Sequence, residues 1–200
     1  MVRRGAREGL LRGTFGNVSV RSGNILLITP TATDYLKLRA VDFVAVDIAT
    51  GDAAGGRPSS ELPLHLAIYR ALPRVQAIWH DHSPFAVAAA LVAEDVPVFT
   101  GEGHGLIGLS LPVAPYLPSG SQALADAVAA RLQETGAGAC LMRNHGAVAV
   151  GPGLFAAYSG AIALEEAAMH YLLTRGLSPS ALPVEEAQAI RAAFAAYRMR

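Results

Sequence analysis

Two histidines that could bind a metal ion stand two residues apart in the segment WHDHSP. His80 and His82 end an apolar stretch that predicts a β-strand. Side chains two residues apart on a strand point to the same face, so both imidazoles could reach one ion. The pair alone is weak evidence, because catalytic zinc sites commonly use three protein ligands and leave one position open.

The candidates for a third imidazole ligand are His65, His104, His145 and His170. His145 is the strongest, because it lies in RNHGA at a predicted turn between two strands, where Gly146 permits close backbone approach. His104 lies in the glycine-rich GEGHG and is interpreted either as a mobile active-site residue or as an exposed one. His170 follows an alanine-rich helical stretch and is predicted to pack against a neighbouring element.

A glutamate follows two serines at the predicted start of a helix. Ser59 and Ser60 offer hydroxyl groups, and a helix start offers free N–H groups, so the segment PSSE could bind an anion beside Glu61. An ordinary helix cap with an acidic first turn is the alternative. His65 follows Glu61 by one helical turn on the same face, which favours a supporting or core role over direct ligation.

The composition excludes several classes of protein. The 200 residues are 52% hydrophobic, and 16 basic residues balance 16 acidic ones, which argues against a nucleic-acid or anionic-membrane surface. The N-terminal stretch lacks the apolar core of a signal peptide, and no apolar run could cross a bilayer. Cys140, the single cysteine, is predicted to be a buried structural thiol. We therefore expect a cytoplasmic protein.

Lys37, the single lysine, lies in a polar, turn-like stretch and is expected to be exposed. Schiff-base catalysis needs an amine in an apolar site, so any carbonyl chemistry here requires another electron sink.

Strand and helix patterns alternate along the chain. Alternating or continuous apolar residues predict strands over 17–20, 24–29, 43–48, 75–80 and 111–116, and a strand pair over 139–150. Helical spacing predicts helices over 61–72, 121–132, 154–173 and 184–197. A further helix should begin at Pro84, with Ser83 as its N-cap. The mixture, with its hairpin signals, favours an α/β protein with a mixed or largely antiparallel sheet.

Four segments resemble the class II aldolase/adducin family, in order and at similar spacing, and most closely its branch that acts on L-fuculose 1-phosphate. They are GTFGNVSVR, LLITPTATDYLKL, RPSSELPLHLAIYRALPRVQAIWHDHSPFA and LMRNHGAVAVG. The combination of Pro-Ser-Ser-Glu, His-x-His and a later Asn-His-Gly is specific. The resemblance implies one three-layer α/β domain over residues 1–200, in which helices flank a central mixed, largely antiparallel sheet.

The resemblance also implies a site. His80, His82 and His145 would hold a divalent metal ion, Zn²⁺ or another such as Mn²⁺ or Co²⁺, and Glu61 would be the catalytic acid/base. The phosphate group of a small sugar phosphate would be bound by Gly16, Asn17, Thr31, Ser59 and Ser60. Family members are generally homotetramers with active sites between subunits, so the same is expected here.

The implied reaction is the cleavage of a ketose 1-phosphate to dihydroxyacetone phosphate and an aldehyde through a metal-stabilised enediolate. A divalent cation can serve as the electron sink that a lysine imine supplies elsewhere. The ketose would be L-fuculose 1-phosphate or a similar 5-deoxy- or methylthio-pentulose 1-phosphate. The alternatives are a methylthioribulose-1-phosphate dehydratase, a sugar-phosphate 4-epimerase, where the family usually has Asp in place of Glu61, and a non-enzymatic adducin-like binding module.

The chain departs from the family pattern on the side that would meet the aldehyde. Gly101 stands where the fuculose-phosphate branch has a proton-donating tyrosine, and a pocket aromatic is replaced around Ser119. Ala32 stands where the usual pattern is TPTG. Glu102 or His104 could donate the proton instead.

Tyr197, near the C-terminus, resembles a tail tyrosine that covers the site in some relatives. A surface aromatic on a frayed helix is the alternative.

Overall fold

A computed structural model of the protein describes residues 1–92 and 94–198, apart from the side chains of residues 197 and 198. The described strands form one sheet in the order β4-β3-β2-β1-β5-β9-β8-β7-β6, and every neighbouring pair is antiparallel except β7 and β8. The strands are β1 (Asn17–Ser22), β2 (Ile25–Ile28), β3 (Val44–Asp47), β4 (Ala53–Ala54), β5 (Ala77–Asp81), β6 (Asp95–Pro97), β7 (Ser110–Ala114), β8 (Ala139–Met142) and β9 (Gly146–Gly151). The predicted mixed, largely antiparallel sheet is confirmed.

Helices cover both faces of this sheet. They are α1 (Val2–Arg7), α2 (Leu62–Ala71), α3 (Pro84–Val92), α4 (Gly101–Leu106), α5 (Gln122–Thr135), α6 (Leu154–Thr174) and α7 (Val184–Arg198). The apolar cores on the two faces are separate: α2 and α5 pack on one face, and α3 and α6 pack on the other. The predicted three-layer α/β architecture is therefore confirmed. Among the described residues, no helix is both long and apolar enough to cross a membrane.

The central strand β5 is buried along its whole length, and its side chains contribute alternately to the two cores. Ile78 belongs to the core under α2 and α5, whereas Trp79 belongs to the core under α3 and α6. Burying one large apolar side chain contributes roughly 1.5–3 kcal/mol. A Cβ at Gly5 would lie 2.4 Å from the Trp79 ring, so a glycine is needed where α1 packs against this side chain.

Most of the predicted elements are present within two or three residues of their expected ends. Four short elements have no counterpart in the sequence patterns: α1, β4, β6 and α4. Helix α4 has the sequence GEGHGL, and its three glycines lower intrinsic helix propensity. The Thr100 side chain accepts a hydrogen bond from the Gly103 N–H, and this cap supports the helix.

The start of α3 differs from the prediction that Ser83 caps it through its hydroxyl. That hydroxyl instead donates to Asp81 Oδ1. The carboxylate of Glu165, on α6, takes the capping role and accepts hydrogen bonds from the N–H groups of Phe85 and Ala86, at 3.0 and 2.8 Å. Sequence spacing could not identify this cap, because the residues are about eighty positions apart.

Cys140 is buried in β8, as predicted, and burial raises the pKa of its thiol to about 12. Lys37 is exposed, also as predicted, and it pairs with Asp34.

Candidate metal centre

Three imidazoles and one carboxylate meet at one end of the central strands. His80 lies in β5, His82 follows its end, and His145 lies in the turn between β8 and β9. Glu61 is the N-cap residue of α2. One ligand atom from each of the four residues can be chosen so that all lie within 4.8 Å of one another.

The contacts within this cluster join nitrogen and oxygen atoms that are ordinary metal donors. His80 Nε2 lies 2.7 Å from Glu61 Oε2, and His145 Nε2 lies 3.2 Å from Glu61 Oε1. His82 Nε2 lies 3.1 Å from His80 Nε2. The ring centroids of the three imidazoles are 4.9 to 5.1 Å apart.

The sheet register brings His145 back to the histidine pair. Strand β9 pairs antiparallel with β5, so that Ala147 lies opposite Asp81 and the preceding turn lies over the end of β5. A Cβ at Gly146 would lie 2.5 Å from the Asp81 carbonyl oxygen, so any larger residue would push the turn away. Asn144 supplies the positive φ (59°) that the turn needs.

A backbone contact orients the central imidazole. His80 Nδ1 donates to the Ala147 carbonyl oxygen at 2.8 Å, so the neutral ring keeps its lone pair on Nε2, which faces the cluster. A second hydrogen bond of this kind is the usual support of a metal-binding histidine.

Burial and mutual charge shift the pKa values of the cluster in different directions. Burial raises the pKa of Glu61, but the neighbouring His80 and His145 outweigh burial and lower it overall. Burial lowers the pKa of His80, and here Glu61 outweighs burial and raises it overall. Burial, reinforced by the two other histidines, lowers the pKa of His82 to about 4. Glu61 therefore stays ionised and His82 stays neutral at pH 7, the forms in which a carboxylate and an imidazole can bind a metal ion.

The donor set fits a divalent cation. Three imidazole nitrogens and one carboxylate are ligands that zinc accepts, and each is in, or can adopt, the deprotonated form that ligation needs. Two nitrogen atoms and two carboxylate oxygens at contact distance also repel one another unless a cation or protons lie between them.

A cavity of about 370 Å³ opens beside this cluster. Its lining includes Glu61, His82 and His145 together with all the residues predicted to bind phosphate: Gly16, Asn17, Thr31, Ser59 and Ser60. The described residues of this lining include no lysine or arginine. Hydroxyl groups, N–H groups and the N-terminus of α2 would therefore have to bind a phosphate group.

Two of these residues also have local structural roles. The Ser59 hydroxyl accepts a hydrogen bond from the Glu61 N–H at 3.3 Å, which fixes the entry to α2. Gly16 has φ +82°, and a Cβ there would lie 2.5 Å from the His80 carbonyl oxygen. The loop before β1 can therefore pass this close to His80 only with glycine at position 16.

The departures from the family pattern also lie in this region. Ser119 lines the cavity and donates to Glu61 Oε1 at 3.2 Å, so its small hydroxyl side chain contacts the carboxylate directly. Ala32 lines the cavity too, and its φ of 52° is a backbone conformation that glycine adopts more easily.

Glu102 and His104 were suggested by the sequence as additional proton donors. Among the described residues, neither lines this cavity. Glu102 lies in the first turn of α4, and His104 is buried in the same helix, with Nδ1 3.1 Å from the Gly108 carbonyl oxygen. The interpretation of His104 as an exposed residue is therefore wrong. Tyr197 falls in α7, but its side chain is outside the described residues.

Two aromatic residues of the site were not predicted. The exposed ring of Phe15 stacks on His82, with centroids 5.6 Å apart and planes 16° apart. The buried Tyr35 hydroxyl donates to the Gly16 carbonyl oxygen and supports the loop at the cavity. Phe15 directly precedes Gly16, so the sequence could have indicated that it lies at the site. No feature of the sequence near Tyr35 indicated its contact with Gly16.

Comparisons with known proteins identify the family of this chain. The sequence model of the class II aldolase and adducin N-terminal domain family matches residues 1–172. The 5-methylthioribulose-1-phosphate/5-deoxyribulose-1-phosphate aldolase of Rhodospirillum rubrum is 34% identical over 195 residues, covering 94% of this chain and 85% of that protein. The L-fuculose phosphate aldolase of Escherichia coli K12 is 34% identical over 197 residues, covering 97% and 90%.

A solved structure described as L-fuculose 1-phosphate aldolase superposes with a TM-score of 0.89 at 30% identity, covering 96% of this chain and 92% of that one. The chain belongs to the class II aldolase and adducin N-terminal domain family. The resemblance found in the sequence motifs is thereby confirmed.

Proposed function

We propose that the protein is a metal-dependent lyase that cleaves a ketose 1-phosphate to dihydroxyacetone phosphate and an aldehyde. The observation that carries this proposal is the convergence of Glu61 and three histidines beside a cavity whose lining offers hydroxyl and N–H donors. Relatives covering more than nine tenths of the chain are named as aldolases of sugar phosphates.

His80, His82 and His145 would hold the metal ion, with Glu61 at its side. We propose Zn²⁺, because imidazole nitrogens suit zinc, with Co²⁺ or Mn²⁺ as weaker-binding substitutes at the same nitrogen and oxygen donors. When bound, the cation supplies Lewis-acid stabilisation of the negative charge that develops on the ketone oxygen.

The residues of the cavity would bind and orient the substrate. The hydroxyls of Thr31, Ser59 and Ser60 and the N-terminus of α2 can donate hydrogen bonds to the phosphate group. Gly16 and Asn17 complete this wall of the cavity. Binding the phosphate fixes the distance between the reacting carbons and Glu61, which lowers the entropy cost of reaching the transition state.

Glu61 would move the proton. One of its oxygens, Oε2, accepts a hydrogen bond from Asn17 Nδ2 at 2.9 Å and lies 2.7 Å from His80 Nε2. The other, Oε1, faces Ser119 and His145. An anionic carboxylate in that position can take the proton from the substrate hydroxyl as the carbon–carbon bond breaks and return it to the carbon of dihydroxyacetone phosphate.

The best-supported substrates are L-fuculose 1-phosphate and the 5-deoxy- or methylthio-pentulose 1-phosphates. Relatives with both specificities are equally similar to this chain, at 34% identity. Gly101 and Ser119 change the side expected to meet the aldehyde, so they bear on this choice.

A panel of ketose 1-phosphates tests the proposal. Zinc-loaded protein is incubated with each compound, and dihydroxyacetone phosphate is followed by a coupled reductase assay, with Glu61→Gln as the control. We expect release from at least one compound, and a loss of about 10²- to 10⁴-fold in kcat for E61Q, the range attributed to acid–base catalysis. Release from none of them would overturn the aldolase proposal.

The same panel separates the other activities. Loss of water from methylthioribulose 1-phosphate without carbon–carbon cleavage would identify the dehydratase. Epimerisation of a pentulose phosphate at C4 would identify the epimerase. An adducin-like binding module would neither retain zinc nor convert any of these compounds.

We also propose that the protein is a cytoplasmic homotetramer with active sites between subunits. Large apolar side chains are exposed on α6, after α6 and at the start of α7, among them Phe155 (64%), Leu173 (66%) and Leu177 (71%), and a subunit contact would cover such a surface. Light scattering coupled to size exclusion measures the oligomeric state, and a monomeric mass would contradict this assembly.

A further inference from the structure

A continuous line of hydrogen bonds leads from Glu61 into the core between α2 and β1. Asn17 Nδ2 lies 2.9 Å from Glu61 Oε2, and His65 Nε2 lies 2.5 Å from Asn17 Oδ1. Ser19 Oγ lies 2.7 Å from His65 Nδ1 and 2.9 Å from the Tyr69 hydroxyl. All of these residues are buried. We call Glu61, Asn17, His65, Ser19 and Tyr69 the carboxylate chain.

The spacing of the carboxylate chain follows from the two elements that carry it. Glu61, His65 and Tyr69 are four residues apart and lie on one side of α2, from its N-cap inward. Asn17 and Ser19 are two residues apart in β1 and point to the same face of the sheet. The helix and the strand thus interleave their polar groups in an otherwise apolar layer.

The negative charge of Glu61 fixes which group donates and which accepts in every hydrogen bond of the carboxylate chain. An ionised carboxylate only accepts hydrogen bonds, so Asn17 presents its NH₂ group to Glu61 and its carbonyl oxygen to His65. His65 must then donate from Nε2, which leaves the lone pair on Nδ1. Ser19 donates to that lone pair, and Tyr69 donates to the Ser19 oxygen.

We propose that His65 is a positioning residue, neutral and protonated on Nε2, that locks the Asn17 amide so that its NH₂ group holds Glu61 Oε2 and leaves Oε1 directed at the substrate cavity. This inference rests on the proposed function of Glu61. An amide does not pass a proton along readily, so the chain holds the carboxylate in place and does not conduct protons. Unpaired, the buried Asn17 amide could rotate and turn its carbonyl oxygen toward Glu61.

The surroundings of His65 and Tyr69 support these protonation states. Burial lowers the pKa of His65 to about 3. Burial also raises the pKa of Tyr69, which therefore remains a donor. Arg21 approaches Tyr69 from β1 and donates to its backbone oxygen at 3.1 Å. The end of the carboxylate chain farthest from the cavity is thus also bound to β1.

Nitrogen NMR tests the tautomer without any substrate. Zinc-loaded protein labelled with ¹⁵N histidine is recorded near pH 7, and the His65 signals are assigned by their loss in the His65→Gln variant. We expect a neutral ring with a protonated Nε2 and an unprotonated Nδ1. A ring protonated on Nδ1, or on both nitrogens, would reverse the chain and overturn the inference, whatever the protein catalyses.

Steady-state kinetics test the positioning role. His65→Phe keeps the ring and removes both nitrogens, whereas a glutamine amide can still donate to Asn17 from a position close to Nε2. We expect kcat to fall at least about 10-fold in H65F with KM changed less than about 2-fold, because a misplaced catalytic group can cost about 100-fold. H65Q should recover most of the loss.

Ile68→Val is the matched control for loss of stability. Ile68 is fully buried in α2 and packs into the apolar core, outside the carboxylate chain. It should leave kcat per folded, zinc-loaded chain unchanged while lowering the thermal midpoint. If the wild type turns over a ketose 1-phosphate and H65F has the same kcat, the positioning role is wrong and the proposed function stands. If the wild type converts no compound, the proposed function fails, and the NMR result still decides the tautomer.

Discussion

The two oxygens of Glu61 differ in their surroundings, and that difference is what a positioned acid/base needs. Oε2 accepts a hydrogen bond from Asn17 and lies beside His80, whereas Oε1 faces the hydroxyl of Ser119 and the imidazole of His145. A carboxylate bound by a buried amide through one oxygen, with the other oxygen facing residues of the cavity, has one productive orientation. The residue types of this site were visible in the sequence. The asymmetry was not, because it arises from contacts between distant segments.

Removal of one proposed ligand should distinguish the histidines that bind the metal ion from those that do not. We expect His145→Ala to weaken zinc binding more than about 100-fold. Removing only the hydrogen-bond partner of a metal ligand already lowers metal affinity about 10- to 100-fold. His170→Ala, in α6 and outside the cluster, is the matched control and should bind like the wild type. Competition with a chromophoric chelator measures both affinities. Equal affinities for the two variants would remove His145 from the site.

His65 should make the stability of the metal-free protein depend on pH. Its pKa of about 3 in the folded chain is below the ordinary value of 6.5. Between these values the unfolded chain binds one more proton, so stability is fully present above pH 6.5 and falls as the pH decreases toward 3, by about 1.4 kcal/mol per pH unit.

From pH 7 to pH 5 this contribution should therefore decrease by about 2 kcal/mol. In His65→Gln this decrease of the unfolding free energy should disappear, while the effects of the other titrating groups remain. Urea unfolding with chelator present at both pH values measures the difference. An identical pH dependence in H65Q and the wild type would show that His65 is not held neutral by folding.

At the scale of elements, α3 depends on a carboxylate from another helix. Glu165 satisfies two N–H groups at the start of α3, immediately after the segment that carries His82. Hydrogen bonds to charged groups contribute roughly 1.5–3 kcal/mol each, and burial raises the pKa of Glu165 and offsets part of that. The cap therefore connects the α6 layer to the position of His82, a proposed metal ligand.

Glu165→Gln should lower the free energy of unfolding by about 1–2 kcal/mol, because the neutral amide accepts less strongly and at one oxygen only. Glu166→Gln makes the same chemical change at an exposed position of the same helix and should alter stability by less than about 0.5 kcal/mol. Urea denaturation of both variants gives the comparison. Similar values for the two variants would mean that the α3 cap contributes no stability.

These elements mark the limit of prediction from the sequence. The hairpin of β1 and β2, the helix α2 and the strand pair β8–β9 were predicted because their patterns are local and periodic. Helix α4 was not, because three glycines in six residues conceal it and a threonine cap with α7 packed beside it sustains it. The cap of α3 was assigned to Ser83 because sequence spacing can identify a nearby hydroxyl and cannot identify Glu165.

At the scale of the whole molecule, the site joins three separated parts of the chain. Glu61 begins α2, His80 and His82 end β5, and His145 lies between β8 and β9. The order β1-β5-β9-β8 places the segments that begin or end these strands at one sheet end. The family resemblance predicted this convergence. The spacing of the histidines alone did not, because it carries no information on which strands are neighbours.

Because these parts separate when the chain unfolds, zinc should stabilise the whole fold. An ion that binds only the native state adds about 2.7 kcal/mol at 100 times its Kd. For a chain of this length that corresponds to an increase of about 5–10 °C in Tm. Calorimetry at controlled free zinc should therefore show a midpoint that rises with zinc and falls with chelator. His145→Ala should lose this dependence, and His170→Ala should keep it. An equal zinc-dependent rise in His145→Ala would place the stabilising ion elsewhere, and the cluster would no longer explain the coupling between metal binding and folding.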